Sequence, residues 1–299
     1  KIPTKRAATG GWSGATSASV TRLSDVSTEA TPRMKFSSTE VNSVLGGGIV
    51  PGSVVLVAGD PGIGKSTLLL RLASETGEGT TALYATGEES AAQIKMRADR
   101  MGIQTDGLYI LPVTNVEQVL EQARSLKPSL VIVDSIQTMF DEGVSSEPGS
   151  VAQIRECTRR LLEQAKTTNV PVLLSGHVTK GGDIAGPRIM EHMVDVVLHM
   201  EGDPVSAWRL LRSVKNRFGS TNEVGVFEMT STGLEEVKDP SAAFIAERTS
   251  ESIGSVVIAT LEGTRPLLAE VQALTSASML PTPRRVAPSI RPDLVFRRG

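Results

Sequence analysis

Eight consecutive residues, Gly59-Asp60-Pro61-Gly62-Ile63-Gly64-Lys65-Ser66, fit the spacing G-x-x-x-x-G-K-[ST]. Glycines at those positions let the backbone curl until successive N–H groups point at one spot, where they suit phosphate oxygens. A helix beginning at the end of the loop adds roughly half a positive charge. Lys65 is placed to reach the β- and γ-phosphates, the Ser66 hydroxyl to bind Mg²⁺, and Thr67 to complete the nucleotide contacts. The expected ligands are therefore ATP and Mg²⁺. A chance match in a glycine-rich turn would lack the strand before it and the helix after it.

Hydrolysis needs further groups. Asp134 ends the apolar run Leu130-Val131-Ile132-Val133 and is expected to hold Mg²⁺ and its waters. The alternative is a cap on the next turn by Asp134-Ser135. Glu88 and Glu89 follow Ala82-Leu83-Tyr84-Ala85, where a carboxylate can orient the attacking water. Glu88, nearer the strand end, is preferred; two acids opening a helix is the simpler reading. His177 and Thr179 follow another strand and are placed to sense the γ-phosphate. Lys215 and Arg217, at the end of a later strand, are either a pair of phosphate-facing cations or an exposed basic turn.

These residues need a scaffold that brings strand ends together. Ser53 to Gly59 reads as a buried strand, and Ser66 to Glu75 as a helix. Ala82 to Ala85, Leu108 to Leu111, Leu130 to Val133 and Val172 to Leu174 are further strands. Helices capped by Ser90, Asn115 and Ser150 separate them, with Val116, Val119, Leu120 and Ala123 sharing one face of the second. The β-branched run from Leu130 is typical of a parallel sheet covered on both faces. From Val194 the pattern changes to meander strands: Val194 to Met200, Ala207 to Val214, Glu223 to Met229 and Leu234 to Val237, with a hairpin turn at Ser231-Thr232-Gly233. The fold class is thus α/β, with a mostly parallel sheet extended by antiparallel strands. Three regions are expected: a flexible lead over 1–35, a core over 36–239, and an incomplete second unit over 240–299. Its first strands are Gly254 to Leu261 and Leu267 to Leu274.

Composition narrows the function classes. The chain has 299 residues, with 31 Lys+Arg against 33 Asp+Glu, so any nucleic-acid site must be a local patch. Aromatics at 3% disfavour base-stacking platforms. The single Cys157 excludes an intrachain disulfide and a multi-cysteine zinc site. No apolar run approaches the roughly 20 residues of a membrane span, and a cytoplasmic protein is expected.

Taken in order, further stretches resemble a known family. They are Leu45-Gly46-Gly47-Gly48-Ile49-Val50-Pro51-Gly52-Ser53, the phosphate loop, Thr86-Gly87-Glu88-Glu89-Ser90, Val133-Asp134-Ser135-Ile136-Gln137-Thr138, Gly176-His177-Val178-Thr179-Lys180, Ile184-Ala185-Gly186-Pro187-Arg188 and Lys215-Asn216-Arg217-Phe218-Gly219. Together, over roughly Phe36 to Ser276, they resemble the bacterial RadA/Sms family of RecA-like DNA-repair ATPases. The resemblance implies a RecA-like P-loop NTPase core in a hexameric ring that uses ATP to move on single-stranded DNA. It also implies action on branched recombination intermediates and cooperation with the RecA recombinase. It places Lys215 and Arg217 at a subunit interface, reaching the neighbour's ATP. It makes Thr179 to Arg188 a DNA-binding loop, with Lys180 and Arg188 as its phosphate contacts. The family's four-cysteine zinc finger has no counterpart here, and only the opening strands of its Lon-protease-like domain are recognisable, so the chain is read as truncated at both ends.

Two rivals stand beside this reading. One is a RecA-like phosphotransferase acting on protein Ser or Thr, which the paired Glu88-Glu89 would also suit. The other is an ATP-gated DNA-binding module with little turnover.

Overall fold

The structure is a computed structural model. It describes residues 22–23, 32–76, 80–177, 186–202, 207–242, 254–262, 264–273, 275 and 277. The βα alternation expected from the sequence forms β1 (Val54–Gly59), α2 (Lys65–Ser74), β2 (Ala82–Thr86), α3 (Ala91–Arg100), β3 (Leu108–Pro112), α4 (Val116–Leu126), β4 (Leu130–Asp134), α5 (Val151–Thr168) and β5 (Val172–His177), preceded by a short α1 (Thr39–Val44). The predicted caps hold the helix starts. Ser90 and Gln93 form a reciprocal capping box, Asn115 accepts from Glu117 N, and Ser150 accepts from Gln153 N.

α6 (Gly186–Met193), which precedes β6 (Val196–Glu201), corrects the sequence reading. Gly186-Pro187 suggests a loop, but proline suits the first turn of a helix, where its missing N–H costs nothing. The helix is a crossover, so β6 runs parallel to β1 on one side, while on the other it pairs antiparallel with β7 and opens the meander as expected. The antiparallel part consists of β7 (Trp208–Asn216), β8 (Val224–Thr230) and β9 (Gly233–Glu236). The sheet has nine strands in the order β3-β2-β4-β5-β1-β6-β7-β8-β9. A separate antiparallel hairpin is made by β10 (Ser255–Glu262) and β11 (Arg265–Gln272).

Every residue of β1, β2 and β4 is buried, because helices cover both faces of the sheet. On one face Val55, Val57, Leu69 and Tyr84 pack with α2 and α3. On the other Leu56, Val133, Leu161 and Cys157 pack with α4, α5 and α6. A change such as Leu56→Ala should cost about 2–5 kcal/mol, because neighbours this tightly packed cannot close the gap. Cys157 lies wholly inside this second layer.

Arg33 and Met34, expected in the lead, join this core. Met34 exchanges both backbone hydrogen bonds with Ile49. Arg33 forks its guanidinium to Gly46 O at 2.7 Å and Phe218 O at 2.7 Å.

Candidate nucleotide site

Parallel pairing brings the ends of β1, β2, β4 and β5 to one edge of the sheet. Gly59 is in register with His177 and Met200, and Thr86 with Asp134. This carboxyl edge is where open α/β sheets bind ligands. The loop that leaves β1 there carries φ of +77° at Gly62 and +117° at Gly64. The φ at Gly64 favours glycine whatever the space, although a Cβ there would meet only the terminal methyl of the flexible Met229 at 2.6 Å. Around Gly62 a Cβ would meet nothing within 4 Å, which leaves space beside the loop's N–H groups. Arg209, buried at the start of β7, braces the loop from behind by donating to Ile63 O at 3.0 Å.

Lys65 is buried, and its Nζ donates to Gly59 O and Asp60 O at 2.9 Å each, folding back over its own loop. Burial lowers its pKa, while the charges of Asp134, Glu88 and Asp60 act in the opposite direction. The ammonium is thus held by carbonyl groups it can exchange for phosphate oxygens.

Asp134 is 3% exposed. Its Oδ2 accepts from the Tyr84 hydroxyl at 2.6 Å, and its Oδ1 is buried without a partner. An orphaned carboxylate oxygen is costly unless something completes it. A hydrated Mg²⁺ would do so, with Ser66 on the adjacent helix turn as the second protein oxygen. Asp134, Ser66 and Lys65 therefore fit Mg²⁺ and a nucleoside triphosphate.

The two neighbouring glutamates part company. Thr86 Oγ1 accepts from Glu88 N at 3.2 Å and Glu89 N at 3.4 Å, fixing the turn that leaves β2. Gly87 lets that turn press against Thr138, whose Oγ1 would lie 2.3 Å from a Cβ. Glu88 then accepts from Ser135 Oγ at 2.5 Å and lies 3.9 Å from His177 Nε2, facing Lys65. Glu89 turns away and pairs with Arg97. Burial, followed by the Lys65 charge, lowers the His177 pKa.

Residues 18–183, more than half of the chain, match the AAA domain family. The chain belongs to the AAA domain family. DNA repair protein RadA of Bacillus subtilis (strain 168) is 49% identical over 291 residues, covering 97% of this chain and 64% of the relative. RadA of Halalkalibacterium halodurans is 52% identical over 279 residues, covering 93% and 61%. RadA of Pseudomonas aeruginosa is 51% identical over 277 residues, covering 93% and 61%. The chain is a homologue of these proteins and spans about three-fifths of their length. Two crystal structures share the fold. A KaiC-like protein from Pyrococcus horikoshii OT3 has a TM-score of 0.56 at 20% identity, covering 69% of this chain and 99% of its own. The RadB recombinase has a TM-score of 0.53 at 21% identity, covering 67% and 97%. The RecA-like P-loop core expected from the sequence is borne out.

Lys215 and Arg217 lie elsewhere. Val196 pairs with both Val55 and Asn216, four residues down β6 from the Met200 that pairs with Gly59. At about 3.3 Å per residue the two cations are some 13 Å or more from their own phosphate loop, towards the opposite edge. Lys215 Nζ donates to Glu191 O at 2.6 Å and Val194 O at 2.8 Å, capping the end of α6. Arg217 Nη1 donates to the buried Asp195 Oδ1 at 3.1 Å, and Lys166 holds Oδ2 of the same carboxylate at 2.7 Å. Of the predicted DNA contacts, Arg188 is the third residue of α6 and not part of a loop, while Lys180 and Thr179 lie outside the described residues. Sequence reasoning passed over Tyr84, Ser135, Asp195 and Arg209. A tyrosine in mid-strand that needs a partner for its hydroxyl was the available signal for the first. A lone acid inside Val194-Asp195-Val196 was the signal for the third.

Proposed function

We propose that this chain is a DNA-dependent ATPase of recombinational repair, working as a hexameric ring that moves on single-stranded DNA, with ATP and Mg²⁺ as cofactors. The convergence of Lys65, Ser66, Glu88 and Asp134 at one sheet edge carries the hydrolytic half of this reading. Lys65 neutralises the β- and γ-phosphates, and Glu88 orients a water at the γ-phosphate. Mg²⁺, when bound, screens phosphate charge as the bond to the leaving group breaks. Asp134 and Ser66 hold the ion's position.

The placement of Lys215 and Arg217 at the far edge supports their action on a neighbouring subunit's ATP. A cation reaching the γ-phosphate across an interface is worth about 10³–10⁵ in rate. The similarity to RadA supports DNA as the substrate; branched DNA, RecA as partner, a cytoplasmic setting and DNA-phosphate contacts by Lys180 and Arg188 belong to the same proposal.

Mixing two inactive variants tests the trans arrangement. Lys65→Ala subunits lack the pocket but keep the cations; Arg217→Ala subunits have the reverse. Each alone should be nearly inactive, and the mixture should regain activity in a concentration-dependent way. A mixture as inactive as its parts, although light scattering shows mixed oligomers, would overturn the assignment. Incubation with labelled ATP separates the motor from the protein phosphotransferase, since the motor leaves no label on the protein.

A further inference from the structure

The loop between β7 and β8, residues 217–223, is anchored at three places. At its start, Arg217 N donates to Asp195 O at 3.1 Å, in addition to the side-chain ion pair. In its middle, Gly219 lies against Gly46 so closely that a Cβ on Gly219 would be 3.1 Å from Gly46 Cα. Arg33 ties those two strands of chain together through Gly46 O and Phe218 O.

The third anchor comes from the tip of the β10–β11 hairpin. Thr264 N donates to Asn222 O at 3.0 Å, and Thr264 Oγ1 donates to Glu223 Oε1 at 2.9 Å. Arg265 Nη1 reaches Glu40 Oε2 at 2.5 Å. Glu40 is buried on α1, and the same oxygen accepts from Val226 N at 2.9 Å, in the strand the loop enters. Ser43 on α1 completes the contact by donating to Glu223 Oε2 at 3.2 Å. Thr264 and Arg265 thus grip α1, the end of the loop and the start of β8 at once.

We infer that Thr264 and Arg265 are positioning residues: the hairpin tip is a latch that holds the 217–223 loop, and through it Arg217, in the orientation needed to act on a neighbour's nucleotide. This rests on the trans assignment of Arg217 made above. The hairpin follows the ATPase core in sequence, and among the described residues its hydrogen bonds to the core go to Glu40, Asn222, Glu223 and Ser241, away from the nucleotide site. It therefore gives the C-terminal part of the chain a direct hold on turnover, separate from ATP binding.

The test uses the full chain with Arg265→Ala. DNA-stimulated kcat should fall by about 10- to 100-fold, short of the roughly 10³–10⁵ of complete loss of such a cation. KM for ATP should hold, because the lost interaction is made only in the transition state. Mixing identifies the side of the defect. Lys65→Ala subunits, which supply sound cations, should rescue Arg265→Ala; Arg217→Ala subunits should not. Arg265→Lys should recover part of the rate. Should Arg265→Ala fail to fold, Thr264→Val, which removes one hydrogen bond at nearly constant shape, takes its place in the same mixtures. An unchanged kcat overturns the latch. So does failure of Lys65→Ala to rescue, where the Lys65→Ala and Arg217→Ala pair does recover activity. If that reference pair stays inactive, the trans assignment falls and the latch with it.

Discussion

The Tyr84 hydroxyl fixes one oxygen of Asp134 at 2.6 Å and leaves the other buried and without a partner. Tyr84→Phe removes that orientation. The variant should lose about 1–3 kcal/mol of stability, the cost of an unsatisfied buried group. The Mg²⁺ concentration for half-maximal ATP hydrolysis should rise about 10- to 100-fold, as for other groups that orient a metal ligand. A Mg²⁺ titration of hydrolysis checks this, and an unshifted midpoint would remove Tyr84 from the site.

Tyr84 should also resist alkali. Burial first, and the Asp134 charge second, raise its pKa well above the ordinary value of 10.0. A raised folded pKa contributes stability that is fully present below the unfolded value. That contribution declines as pH rises past the unfolded value and is lost through the folded one. In a Tyr109→Phe background, phenolate absorbance should appear only well above pH 10, together with unfolding. Ionisation at the ordinary value in the folded chain would contradict the burial.

His177 should carry less charge than an ordinary histidine at the same pH. Its pKa is lowered, so its contribution to stability is present above the unfolded value and declines as pH falls through the folded one. Because the Lys65 charge is the second cause, Lys65→Ala should raise the His177 pKa towards 6.5. Imidazole NMR shifts followed against pH read this directly, and an unchanged value in the variant would show that the two groups are not coupled.

Gly219→Ala should uncouple turnover from nucleotide binding. Its Cβ would crowd Gly46 Cα at 3.1 Å and Asn216 Nδ2 at 3.2 Å, which pushes the Arg217 turn off its seat. ATP affinity by calorimetry should be retained while DNA-stimulated hydrolysis falls. Equal losses in both would point to general unfolding.

Binding to single-stranded DNA should need ATP and weaken with salt. Each phosphate contact contributes about −0.7 to the log–log slope. Lys180→Ala and Arg188→Ala should each flatten the slope by about that amount. An unchanged slope in both variants would place the DNA contact on other residues.

How much of this was legible in the sequence depends on the range of the interactions. The phosphate loop, the strand-end position of Asp134 and the caps at Ser90, Asn115 and Ser150 are local patterns, and each is read from a few adjacent residues. The preference for Glu88 over Glu89 came from its place nearer the strand end, but the partners that part the two acids, Ser135 and Arg97, come from other segments and needed tertiary structure. The lone Asp195 among valines signals a buried acid, but its partners Val54, Lys166 and Arg217 are spread over most of the chain and are not legible locally. The Gly186-Pro187 start of α6 was misread because the same pair serves a turn or a helix N-terminus, and only packing decides.

The burial of Cys157 has a practical side. Desolvation pushes its thiol up to about 12, so it stays protonated at neutral pH and presents no nucleophile to maleimides. It is also the chain's one cysteine. The folded protein is therefore a silent background for thiol chemistry without any prior substitution. A cysteine placed at the exposed Asn222, as Asn222→Cys, would be the sole reactive sulfur. Donor- and acceptor-labelled batches could then report subunit exchange by energy transfer, in the same mixtures that test catalysis across the interface.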